Sequence, residues 1–137
     1  MAKLERPMSP HIQIYRWKHT FFSLSVWHRA TGIALSVGIG LLVYWLAAAA
    51  AGSASYDRAL GCLSSPLAKV AMFGWLWAFF YHLLNGIRHL GWDLGYGFEK
   101  AFARKTGSLV IVASVVLTAL TWWCIATRIT ASVGGLV

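Results

Sequence analysis

His82 stands inside a run, Val70 to Ile87, that otherwise holds no Asp, Glu, Lys, Arg or His, and Arg88, His89 and Asp93 come just after it. An ionisable residue within a membrane-spanning helix is expensive and marks a candidate site. A neutral imidazole can ligate a metal through one nitrogen while the other donates to a backbone carbonyl, and histidine is a common axial ligand of haem iron. A histidine hydrogen-bonded to a neighbouring helix would satisfy the same pattern, so the residue by itself leaves both open. His82, Asn85, Gly86, His89 and Asp93 recur at i, i+3, i+4, i+7 and i+11, one face of a helix. Gly86 removes bulk one turn from His82, where a planar ligand or another helix could approach.

A second polar stripe lies nearer the N-terminus, with Ser25, His28 and Arg29 at i, i+3 and i+4 and Gly32 at i+7. Arg29 fits either an interfacial anchor whose long side chain reaches back to water or a holder of an anion. Ser25 can also bond back to its own helix. Arg88, His89 and Asp93 fit a solvated helix end, the reading favoured for Arg88.

These stripes need elements to position them, and the composition says which. The chain of 137 residues is 58% hydrophobic and only 12% charged, against about 25% charged in soluble domains. Ala30 to Tyr56 and Thr106 to Thr127 carry no charge, and Val70 to Ile87 is broken only by His82. Each run supplies most of the roughly 20 residues that cross a bilayer as a helix, the form that leaves no backbone group unpaired in lipid. The alternation of a transmembrane barrel is absent. The expected fold is all-α, with three transmembrane helices over about 21–51, 67–90 and 107–128, preceded by a polar arm, 1–19, on the inner side. Within that arm, 11–15 alternates polar and apolar, a short strand-like pattern. A helix starting near Thr20 would carry Arg29 about 13 Å along its axis. The stretch from Gly52 to Pro66 reads as an ordinary connection, and the third span as a packing helix.

The net charge of +8 is distributed as an orientation signal rather than as a nucleic-acid surface. Lys3, Arg6, Arg16, Lys18 and Arg29 precede or open the first span, and Arg88, Lys100, Arg104 and Lys105 follow the second. Few basic residues lie on the opposite side. By the positive-inside rule the N-terminus is inside and the C-terminus outside, with basic contacts to anionic membrane lipid. Cys62 and Cys124 have no metal-type spacing, and a disulfide between them is not expected. The segment before the first span lacks the pattern of a signal or transit peptide, which favours a bacterial inner membrane over a mitochondrial one.

With that topology the first two spans bring their polar parts into one leaflet. The chain then offers one convincing intramembrane ligand, His82, with His28 its internal competitor. A bis-histidine haem would need its second ligand from another subunit.

Three segments carry a family resemblance: 6–15 (RPMSPHIQIY), 25–32 (SVWHRATG) and 82–95 (HLLNGIRHLGWDLG). In this order and spacing they closely resemble the cytochrome b subunits of succinate dehydrogenase, the larger membrane anchors of respiratory complex II. The resemblance implies that His82 is an axial ligand of haem b, shared with a smaller anchor subunit. It implies that Ser25 and Arg29 line the ubiquinone site, that His28 and Arg29 lie near the haem propionates, and that Asp93 lies near the quinone pocket. It also implies an iron–sulfur subunit and a flavoprotein subunit as partners, with succinate oxidised there. No succinate site is apparent on this chain, which lacks a glycine-rich nucleotide motif. Trp27, beside His28, departs from the family's pattern. A fumarate reductase anchor, or a haem-free structural or transporter subunit, are the alternatives.

Overall fold

The computed structural model describes residues 23–134, with side chains to residue 128. The polar arm and its strand-like stretch lie outside the described residues. Among the described residues four helices follow one another: α1 (Leu24–Ala50), α2 (Ser53–Leu63), α3 (Pro66–Asp93) and α4 (Lys100–Gly134). No strand occurs among the described residues. Within them α1, α3 and Lys100–Arg128 of α4 are long and apolar enough to cross a membrane.

Local sequence sets the helix ends. Ser23 has extended backbone, and its hydroxyl accepts from the amide of Val26 at 3.4 Å, capping α1. Measured from that cap, Arg29 lies about 9 Å along the helix, shallower than a start near Thr20 implied. Ser65 caps α3 in the same way, accepting from Ala68 at 3.2 Å, with Pro66 in the first turn, where a missing N–H costs nothing. After Asp93 the chain turns through Gly95 and Gly97, with φ of +87° and +84°, a backbone shape that L side chains rarely take.

The connection from Gly52 to Pro66 is not irregular, as the sequence suggested, but holds α2. Its Tyr56, Ala59 and Leu63 sit at i, i+3 and i+7 and turn inward, Ala59 being buried, and the Tyr56 ring lies 6.2 Å from that of Trp45 on α1. An 11-residue helix is marginal alone, so packing on α1 stabilises it.

α3 lies between α1 and α4 and touches both. Many of the residues buried between helices are small or weakly polar, Thr31, Gly38, Ala78, Ser114 and Thr118 among them, while Ile33, Val37, Leu67, Val70 and Leu109 are exposed. That inversion is what lipid as solvent selects, since close backbone approach rather than apolar burial then drives association. The buried hydroxyls bond within α4, Ser114 to the Ile111 carbonyl at 2.8 Å and Thr118 to that of Ser114 at 2.7 Å. At Gly38 the approach is closest, because a Cβ there would overlap the Trp75 indole of α3, whereas one at Gly40 would meet nothing. Gly38→Ala should therefore destabilise the bundle by about 1–3 kcal/mol through overpacking. Thermal inactivation of the detergent-solubilised protein measures this, with Gly40→Ala as the neutral control.

Candidate functional site

The first turns of α1 and the last three turns of α3 build the site. The cap at Ser23 fixes where α1 begins, and Tyr81, 2% exposed, donates its hydroxyl to the Leu24 carbonyl at 3.0 Å, pinning α3 against that beginning. This register places His82 against one turn of α1. Its Nδ1 lies 3.0 Å from the His28 carbonyl and 3.3 Å from the Thr31 hydroxyl oxygen. The Thr31 hydroxyl is itself within donating distance of the Trp27 carbonyl, at 2.8 Å, and the His28 carbonyl, at 3.0 Å. Its hydrogen is thus spent on α1, and its lone pairs remain for an N–H. The neighbours of Nδ1 are acceptors, so in the neutral imidazole the proton sits on Nδ1 and the lone pair on Nε2. Gly32 makes room for the ring: a Cβ there would fall 3.0 Å from Cε1 of His82.

The His28 ring stacks on that of His82, with centroids 3.9 Å apart and planes 9° from parallel. His89 lies beyond, 5.3 Å from His28, with Trp92 edge-on to it at 4.9 Å. The Nδ1 of His28 is buried without a hydrogen-bond partner among the described residues. A buried nitrogen without a partner is unfavourable by about 1–3 kcal/mol, so this one is suited to a polar group brought from outside the chain.

The polar stripe of α1 divides. His28 meets α3, whereas Ser25 and Arg29 are exposed and make no polar contact among the described residues. Asp93 closes α3 and is exposed. Trp27 packs edge-on to Trp77 of α3, with ring centroids 5.9 Å apart.

Two residues escaped the sequence reading. Thr31 is 3% exposed and touches His82 directly; its place one turn after His28 was the available signal. Arg88 is not at a solvated helix end. It is half-buried, donates from Nε to the Thr106 hydroxyl at 3.2 Å and from Nη2 to the Ala103 carbonyl at 3.0 Å, and lies 3.9 Å over the Trp92 ring. The start of α4 at Lys100 brings those acceptors to it.

A family model described as the succinate dehydrogenase/fumarate reductase transmembrane subunit matches residues 2–121. The chain belongs to this family. The resemblance carried by the three sequence segments is borne out, since all three lie within the matched span. The succinate dehydrogenase cytochrome b556 subunit of Paracoccus denitrificans is 42% identical over 116 residues, 85% of this chain and 88% of that protein. The b556 subunit of Rickettsia felis is 40% identical over 118 residues, 86% and 91% of the two chains. The mitochondrial b560 subunit of Bos taurus is 39% identical over 116 residues, 82% of this chain and 68% of that protein. These family members are membrane subunits of an oxidoreductase complex, and the three long apolar helices are what such a subunit requires.

Proposed function

We propose that this chain is the cytochrome b anchor of a succinate:ubiquinone oxidoreductase, holding haem b jointly with a smaller anchor subunit and forming part of the ubiquinone site. The observation that carries this is the state of His82: Nδ1 is held by His28 and Thr31, so Nε2 is left as a ligand. The residues fit the group. A ligating histidine characteristically donates its second N–H to a carbonyl, the unpartnered Nδ1 of His28 suits a propionate, and relatives are named for their cytochrome. The fumarate reductase alternative shares the family description, but the relatives above are named as succinate dehydrogenases, which favours that direction.

When bound, the haem supplies a one-electron store beside the quinone site. This chain's own residues do the rest. Ser25, exposed on the turn before His28, donates its hydroxyl to a quinone carbonyl. Arg29 stabilises the negative charge that develops on the reduced oxygen, as preorganised donors do. Asp93, at the inner end of α3, stands near the quinone pocket and within reach of water. Thr31 and the His28 carbonyl fix the ring of His82 and raise its basicity.

The membrane placement follows from charge. Arg88, Lys100, Arg104 and Lys105 gather where α3 passes into α4, which puts that end, the arm 1–19 and the His82 site on the inner side, and the C-terminus outside. The domain division is that arm followed by the three-span anchor. The bacterial relatives point to a cytoplasmic membrane, and there an iron–sulfur subunit and a flavoprotein subunit dock from the inner side.

Co-purification tests this assembly. A tag on this chain should bring down three further subunits, with flavin, iron–sulfur centres and haem, whereas a chain isolated alone and without haem contradicts it. A finer test is Thr31→Val, which keeps the shape and removes the hydroxyl. Its haem should be lost to an apo-globin acceptor about tenfold faster, the lower end of what outer ligand partners are worth. An unchanged rate means the His28 carbonyl suffices.

A further inference from the structure

Arg88 has no place in the chemistry so far, yet it is a cation held within a candidate span. Its guanidinium donates to three oxygens, those of the Thr106 hydroxyl, the Ala103 carbonyl and, at 3.5 Å, the Asn85 carboxamide. The Thr106 hydroxyl spends its own hydrogen on the Phe102 or Ala103 carbonyl, at 3.0 and 3.2 Å, leaving lone pairs for Arg88. Asn85 is fully buried, at 0% exposure. The Trp92 ring under the guanidinium is fixed in turn, its Nε1 donating to the Gly97 carbonyl at 3.1 Å. Every one of these partners is neutral, and no carboxylate pairs with Arg88 among the described residues. The arrangement immobilises the charge without neutralising it.

A locked, unneutralised cation in a low-dielectric setting acts strongly on nearby charge changes. Arg88 follows His82 by six residues on one rigid helix, a rise of about 9 Å, with Asn85 between them. Resting on the proposed ligation by His82, we propose that Arg88 is a fixed positive charge that raises the midpoint potential of the haem held there, because reduction adds one negative charge to that group. Thr106, Asn85 and Trp92 are the residues that hold it in place.

The test is a redox titration of the haem in the assembled complex, read optically rather than by turnover. Arg88→Gln should retain haem and lower the midpoint potential by the equivalent of about a tenfold change in the reduction constant, ~59 mV for one electron. Arg88→Lys, which keeps charge but loses the planar fork, should stay closer to wild type. Thr106→Asp addresses the case in which Arg88→Gln fails to assemble, since it leaves Arg88 in place and sets a carboxylate against it. The carboxylate offsets the field of the cation at the haem, so the potential should fall there as it does in Arg88→Gln. Wild-type potential in Arg88→Gln, or in Thr106→Asp, overturns the proposal. Absence of haem from the wild-type complex would instead overturn the ligation by His82.

Discussion

Replacing His82 with alanine should remove haem b from the complex. The expected haem content is below about one-tenth of wild type, since loss of the ligand itself must exceed the 10- to 100-fold effect of losing an outer partner. The protein should nonetheless assemble. The α1–α3 contact retains the Tyr81 bond to Leu24 and the Gly38–Trp75 approach, and the void lies where the ring stood beside Gly32. Pyridine-extractable haem per complex, with subunit stoichiometry measured in parallel, separates ligand loss from assembly failure. Normal haem in an assembled His82→Ala complex would end the assignment.

Replacing Arg29 with alanine should have its largest effect on quinone reduction. Removal of one preorganised donor to a developing negative charge costs about 100-fold in rate, so succinate:ubiquinone reductase activity should fall by roughly that factor. Succinate oxidation with an artificial acceptor that draws electrons from the soluble subunits should stay within about twofold. The exposure of Arg29 matters here. It makes no polar contact with described residues, so its removal leaves no buried group unpaired and should leave the bundle intact. Equal losses in the two assays would mean that Arg29 serves assembly.

How much of this was legible beforehand differs from residue to residue. The three spans were legible because lipid imposes long uncharged runs that few other contexts tolerate. The meeting of His28 with His82 was legible too, from helical spacing on each element and from charges that put both in one leaflet. The stripe of Ser25, His28 and Arg29 was less informative than it looked. Residues at i, i+3 and i+4 cover an arc wide enough that one can pack against a neighbour while the others stay exposed. α2 was hidden because it is short and weakly apolar, and the contact with Trp45 that stabilises it is tertiary. Arg88 was misread for a related reason. Five residues from the end of α3, it looks solvated until the turn through Gly95 and Gly97 brings Ala103 and Thr106 back to it. Thr31 carried only its place one turn after His28, a weak mark because a threonine within a helix usually bonds its own backbone. Thr31 does so here, and serves His82 as well.

On the proposed function, this chain holds a haem b that electrons from succinate can reach. The most direct measurement is the succinate-reduced minus oxidised absorbance spectrum of the wild-type complex purified through this chain. A haem b difference band, at about one haem per chain and abolished in His82→Ala, is the predicted result. Full succinate dehydrogenase activity in a complex with no such band, even after chemical reduction, would contradict it.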